Sequence, residues 1–300
     1  TLGGAAGLHG ADLSEARGEA EAIAARQGLT FIHPFDNLNV MAGQGTIALE
    51  ILEHTPSVQA IVAPVGGGGL LAGIGTVIEA RKPDVRVVGV EPTHAACLTA
   101  ALAAGHPVTV TLSSTLADGL AVSRAGALPF EVLRRIVDQV VTVDEAAIAL
   151  AVLRLIELEQ SVVEGAGAAP RAAFLAGTLH ALKGKDVVLV LCGGNIDLTI
   201  LDRVIEIGLV ADGRLSRFTV SISDRPGGLA RLAAVIASTG TSIKEILDDP
   251  ASSGPVLSAG RVACFVATTG HDHVSRSRSH LPDATTAHVD STEGNTCRSD

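Results

Sequence analysis

The 300-residue chain predicts an α/β protein with a parallel sheet and helices on both faces, followed by a small α+β unit. Three observations predict this. Short apolar runs recur at 58–62, 85–90, 139–143 and 186–191, and stretches of helical length separate them. That alternation is the mark of βαβ units around a buried parallel sheet. After Ala211-Asp212-Gly213 the pattern changes, and 217–223 alternates like a half-buried strand. Finally, 47% hydrophobic against 18% charged residues supports a sizeable core and excludes general disorder.

The elements follow in order. Asp12 to Gln27 reads as an amphipathic helix stopped by Gly28, and 29–32 as a short strand closed by His33-Pro34. Thr46 to Glu53 is helical. Strand 58–62 leads through Gly66–Gly69 into a helix ending near Arg81, and strand 85–90 follows. Residues 95–104 form a helix and 139–143 a strand. Asp144 caps a helix to Glu159, and 166–182 is a second one. Strand 186–191 ends in Cys192-Gly193-Gly194-Asn195, and 197–207 is helical. Residues 1–210 thus form one domain and 211–215 a linker. Residues 216–269 hold strands at 217–223, 242–246 and 261–268 with a helix from Gly228 to Ser238, a β-α-β-β unit. His271 to Asp300 lacks periodicity and is expected to be disordered.

Composition also bounds function. A net charge of −10 and a pI near 5.4 argue against nucleic-acid partners and a polybasic membrane patch. With no Trp, no Tyr and six Phe, a base-stacking platform is not expected. Residues 59–78 carry no charge, but six Gly and one Pro make a poor membrane span. Four dispersed Cys make no disulfide framework, so a cytoplasmic location is expected. The start at Thr1, without a charged or apolar leader, reads as that of a fragment or processed chain.

Two glycine turns carry the chemistry. Gly66-Gly67-Gly68-Gly69-Leu70 joins a strand to a helix N-terminus. Backbone N–H groups there point outward, no Cβ blocks approach, and the helix dipole favours an anion. A phosphate site fits better than a flexible turn. Gly67-x-Gly69-x-x-Ala72, with Glu91 ending the next strand, also fits a dinucleotide fingerprint with its ribose-binding acid. The second turn puts Cys192 at a strand tip, where it reads either as a buried thiol or as a ligand-facing group.

Together with His33-Pro34-Phe35-Asp36, 42–46, 89–92, 117–122 and 163–168, these turns resemble the threonine/serine dehydratases (ammonia-lyases). That family belongs to the fold-type II pyridoxal-phosphate enzymes, and the resemblance covers roughly residues 1–210. It implies pyridoxal phosphate as cofactor and a small hydroxy amino acid as substrate, deaminated by β-elimination to a 2-oxo acid and ammonia. It implies that Gly66, Gly67, Gly68, Gly69 and Leu70 hold the phosphate and that Cys192 faces the pyridine nitrogen. A neutral partner there suits prompt β-elimination. Glu164 falls near the ring by family position, or is a solvated helix-end carboxylate. Some relatives bind a divalent cation just after the second strand. Here Cys97 replaces the expected Asp, so no metal is expected with Glu91.

The sequence departs from the family at its Schiff-base lysine, which lies in a Ser-Phe-Lys-type segment within the N-terminal third. None exists here. Lys82, Lys183, Lys185 and Lys244 all read as solvated surface lysines, so no catalytic residue is assigned and this chain is not expected to complete the reaction. The second unit resembles an ACT regulatory domain at 218–227. That implies subunit pairing into a homo-oligomer and a small amino-acid effector near the turn. An ACT domain needs a second helix and a fourth strand, which the residues from His271 are not expected to supply. His271, His273, His280 and His288 fit no metal-ligand spacing and read as solvated.

Overall fold

The computed structural model describes residues 7–10, 13–223, 225–248 and 259–280. The chain divides into two compact units, Thr1–Ile196 and Asp197–Asp300.

The first unit contains α1 (Leu13–Gln27), α2 (Leu38–His54), β1 (Ala60–Pro64), α3 (Gly69–Arg81), β2 (Arg86–Pro92), α4 (Cys97–Ala104), α5 (Ala127–Ile136), β3 (Gln139–Val143), α6 (Glu145–Glu159), α7 (Gly165–Leu175) and β4 (Val187–Leu189). The four strands are all parallel, in the order β3-β2-β1-β4. β1 and β2 are apolar because both faces of the sheet are covered. Ile61, Ala63, Val65 and Val87 join a core with Ile74 and Ile78 of α3, Leu98 of α4 and Phe130 and Leu133 of α5. The alternate residues Ala60, Val62, Val88 and Val90 are equally buried and point to the other face. There α7 packs along β1, β2 and β3, with α6 against α7.

α2 and α3 approach so closely that the contact is backbone on backbone. A Cβ at Gly73 would stand 2.3 Å from the Met41 carbonyl oxygen and 2.9 Å from the Gly45 nitrogen. Small residues at this crossing let α2 lie flat on the helix that follows the glycine turn.

The second unit contains α8 (Leu198–Ala211), β5 (Leu215–Ser223), α9 (Gly228–Ser238), β6 (Ser242–Asp248), β7 (Ala259–Ala267) and α10 (His271–His280). Its antiparallel sheet has the order β5-β7-β6. Phe218, Val220, Val262, Cys264 and Val266 pack under Leu232 and Ile236 of α9.

Several expectations need correction. Residues 29–32 form no strand, because Leu29 and Ile32 are 58% and 66% exposed and no neighbouring strand pairs with them. The helix expected from Thr46 begins at Leu38, since Asn37 caps it by accepting from the Asn39 and Val40 N–H groups. The helix expected to reach Leu182 ends at Leu175, just before Gly177 at φ 71°. The unit boundary lies before α8. That helix reaches Ala211 and packs on β5, so residues 197–210 belong with the second unit and little linker remains.

The most informative correction is α10, where residues 271–280 were expected to be disordered. Its anchors are polar. His273 and Ser277 lie one turn apart and are buried. The Thr241 hydroxyl sits 3.0 Å from His273 Nε2 and 2.7 Å from Ser277 Oγ. The Thr269 N–H donates to His273 Nδ1 at 3.2 Å. The described elements of the unit therefore run α8-β5-α9-β6-β7-α10, with a helix after β7 that the sequence was not expected to supply. The remainder of the expected tail, 281–300, lies outside the described residues. Among the described residues, no helix is long and apolar enough to cross a membrane.

Gly73→Ala drives a methyl group into the Met41 carbonyl, so a stability loss of about 1–3 kcal/mol is expected. Urea unfolding measures it, and an unchanged midpoint contradicts the close crossing.

Candidate cofactor site

The order β3-β2-β1-β4 contains a topological switch. From β1 the chain moves outward through β2 to β3, then returns to β4 on the other side of β1. In parallel α/β sheets, ligands occupy the crevice outside the carboxyl ends of the strands at such a point. Both glycine turns leave the sheet there. Gly66–Gly69 follows β1, and Cys192 follows β4. The pairing of Val62 with Leu189, continued three residues, puts Cys192 level with Val65.

The first turn is built from its carbonyls outward. The Cys97 thiol donates to the Gly66 oxygen at 3.4 Å, Gly126 N–H to the Gly67 oxygen at 3.0 Å, and Ala72 N–H to the Gly68 oxygen at 2.9 Å. A trans peptide holds its C=O and N–H in opposite directions. Anchoring those three oxygens therefore aims the N–H groups of Gly67, Gly68 and Gly69 the other way. The N–H groups of Gly66 to Leu70 make no hydrogen bond among the described residues, although Gly67, Gly68 and Gly69 are buried. Unpaired buried donors are costly. Set at the positive end of α3, they fit a phosphate. Gly68, the N-cap, sits at φ 93°, a left-handed conformation open to glycine.

Short contacts link the remaining residues of the site. A Cβ at Gly66 would lie 3.2 Å from Leu120 Cα, and one at Gly119 would lie 3.5 Å from Glu164 Oε1. A Cβ at Gly193 would meet Glu164 Oε1 at 2.2 Å, and Glu164 N–H donates to the Gly193 oxygen at 3.0 Å. The structure thus brings Gly66, the 118–120 turn, Glu164 and the Cys192-Gly193 turn to one rim. Burial pushes the Cys192 thiol above its ordinary value, and the Glu164 charge adds to this. Burial also raises Glu164, with Asp118 contributing. Cys192 therefore stays a neutral thiol, able to hydrogen-bond an uncharged ring nitrogen.

Glu91 serves another purpose. Fully buried, its carboxylate accepts from Leu98 N–H at 2.6 Å, Thr99 N–H at 2.9 Å and the Thr99 hydroxyl at 2.6 Å. It caps α4, and the dinucleotide reading loses its ribose-binding acid. Cys97, pushed up to about 12 chiefly by burial, is a neutral donor to the turn.

Lys82 is not a free surface lysine. Its ammonium donates to the Pro56 and Val58 carbonyls before β1. Lys183 and Lys185 are exposed just before β4. All three lie at the amino edge of the sheet, across strands about 17 Å long from the glycine turns.

The segment 33–36 is part of the resemblance, which implies no role for its residues. The Phe35 ring covers the turn, 2.2 Å from where a Gly67 Cβ would stand. Asp36 accepts from the Ala127 and Leu128 N–H groups at 3.1 and 2.9 Å, capping α5. His33 Nδ1 accepts from Asp36 N–H at 2.9 Å and Phe35 N–H at 3.3 Å.

The fold and the crevice define a parallel α/β protein whose glycine turn, at the sheet's switch point, fits an anion. The profile of the family described as pyridoxal-phosphate dependent enzyme matches residues 2–193, and the chain belongs to that family. It is similar to the L-threonine ammonia-lyase of Geobacter sulfurreducens, 44% identical over 274 residues, covering 91% of this chain and 68% of that protein. The biosynthetic L-threonine dehydratase of Escherichia coli is 36% identical over 247 residues, covering 81% of this chain and 47% of its own length. Among solved structures, the processed form of threonine deaminase isoform 2 from Solanum lycopersicum matches with a TM-score of 0.63 and 34% identity. That match covers 67% of this chain and 59% of the tomato one.

Two outcomes are expected. Gly68→Ala places an L-residue in the left-handed region, at a cost of about 1–2 kcal/mol, and weakens pyridoxal phosphate binding measured by equilibrium dialysis. Unchanged affinity contradicts the anion turn. His33 is held below its ordinary value by burial first and by Arg17 second. Its contribution is therefore complete above the unfolded value of about 6.5 and is lost as pH falls through the lower folded one. The stability difference between wild type and His33→Ala should shrink as pH falls from 7 to 5.

Proposed function

We propose that this chain carries the cofactor-binding part of a pyridoxal-phosphate dependent dehydratase. That enzyme deaminates L-threonine or L-serine to the 2-oxo acid and ammonia. The observation that supports this most is the row of N–H groups from Gly66 to Leu70, unpaired among the described residues and buried at Gly67, Gly68 and Gly69, at the mouth of the switch-point crevice. The named activities of the similar proteins point the same way.

When bound, pyridoxal phosphate supplies an electron sink for the carbon that loses its α-proton. Gly66, Gly67, Gly68, Gly69 and Leu70 bind the phosphate through backbone N–H groups. Cys192 would stand at the pyridine nitrogen as a neutral thiol, a partner that suits prompt β-elimination. Burial first and the neighbouring Glu164 carboxylate second favour the neutral form of that thiol. The second unit is an ACT-like regulatory module, taking a small amino acid near the Arg225–Gly228 turn and pairing chains into a homo-oligomer.

The three lysines of the first unit stand at the far edge of the sheet, so none is placed to hold the cofactor covalently. The 300-residue chain is expected to bind pyridoxal phosphate reversibly and to release it after borohydride treatment. Cofactor retained on Lys82, Lys183 or Lys185 in peptide mapping overturns this arrangement. Failure to bind pyridoxal phosphate at all overturns the cofactor reading. Cys192→Asp places a charged partner at the ring and should shift the bound cofactor's absorbance, whereas Cys192→Ser should leave it near wild type.

A further inference from the structure

We propose that Asp36 is a positioning residue for the Gly66–Leu70 anion site, acting through the N-terminus of α5 to aim the Gly68 N–H into the crevice; this rests on the reading of that turn as the phosphate site.

The chain of contacts is short. α5 begins at Ala127 behind Gly126, which has no side chain to cap the helix. Asp36, ninety-one residues earlier in sequence, does so instead, with one carboxylate oxygen on Ala127 N–H and the other on Leu128 N–H. A carboxylate at this end of a helix also meets the positive end of its dipole. With α5 held there, Gly126 N–H donates to the Gly67 oxygen at 3.0 Å. That oxygen and the Gly68 N–H belong to one rigid peptide plane, so holding one fixes the direction of the other. Pro129 and Leu133 of α5 close the far side of Gly68, at 3.0 and 3.1 Å from where a Cβ would stand. Phe35, the residue before Asp36, closes the near side over Gly67 and Gly69. Residues 35 and 36 therefore grip the turn twice, once directly and once through α5. His33 fixes the pair by accepting both of their N–H groups.

Four glycines in a row have little conformational preference of their own. Without an external brace the amides would spend much of their time aimed elsewhere, and the first bound phosphate would have to order them. The brace is preorganisation supplied by a carboxylate that touches neither phosphate nor substrate.

The test compares Asp36→Ala, Asp36→Asn and the control Asp144→Ala in the full chain. Asp144 caps α6 through Ala147 N–H at 2.8 Å, so its loss removes a similar cap away from the turn. Dissociation constants are measured by equilibrium dialysis for pyridoxal phosphate, for inorganic phosphate and for pyridoxal, with urea unfolding of each variant. Asp36→Ala should weaken pyridoxal phosphate and phosphate about five- to tenfold, the factor expected for one lost cap. It should leave pyridoxal unchanged. Asp36→Asn, which keeps one acceptor oxygen, should recover part of the loss and carries the comparison should Asp36→Ala unfold. Asp144→Ala should lose stability yet bind like wild type. Equal weakening by Asp144→Ala, or a loss for pyridoxal equal to that for the phosphorylated form, reduces Asp36 to a structural cap and overturns the proposal. Wild-type affinity in both Asp36 variants overturns it while leaving the cofactor reading intact. A wild-type chain that binds neither pyridoxal phosphate nor phosphate sinks both.

Discussion

The planarity of three peptide groups governs the candidate site. Between Gly66 and Gly69 the chain offers no side chain for binding or for support, so its amides are aimed through backbone oxygens while Phe35, Pro129 and Leu133 pack around it. Cys97, Gly126 and Ala72 each take one of those oxygens. The amides that remain are left without partners in a buried place. Such an arrangement is unfavourable in isolation. It is stable because β1, α3 and the surrounding core are already packed, and it becomes favourable when an anion arrives. The elements around the turn can be understood by what they do to those three bonds. α4 carries Cys97, α5 is led by Gly126, and α3 supplies its own first turn.

The same logic explains Glu91. A buried carboxylate with three donors looks like a ligand-binding acid when read as a letter at the end of a strand. Here its donors come from Leu98 and Thr99, and its work is to start α4 beside the turn. Burial raises Glu91, while its hydrogen bonds act in the opposite direction. The acid therefore acts on the site at one remove, by holding the helix that carries Cys97. Asp36 stands in the same relation to α5. Two acidic residues cap two helices, and each of those ends supplies one donor to the glycine turn.

Much of this architecture was legible in sequence wherever one local rule decided the outcome. Buried parallel strands announce themselves as apolar runs, and the glycine turn stands out because no single turn needs four glycines. Asp144 and Asp197 were readable as helix starts, and both accept backbone N–H groups as caps. What escaped was decided by contacts distant in sequence or by polar packing. The exposed stretch 29–32 is apolar enough for a strand but has no partner to pair with. α10 offers no apolar stripe, because His273 and Ser277 are its buried anchors. A periodicity search cannot find a helix held by hydrogen bonds to Thr241. Asp36 reaches across ninety-one residues of sequence, a separation at which spacing carries no information. Cys192 reads in sequence as either a core thiol or a ligand-facing group, and in the fold it packs against the core at the end of the strand beside β1.

Cys192 and Glu164 meet at the second glycine turn. A thiol at a strand tip could have been a reactive nucleophile, which requires a lowered ionisation and a nearby positive charge. This environment does the reverse. Burial first and the Glu164 carboxylate second raise Cys192, and burial together with Asp118 raises Glu164. A thiol raised in this way is a poor nucleophile. The two glycine turns thus differ in what they offer. Bare amides with a helix dipole favour an anion at one, and burial keeps a neutral thiol beside the other.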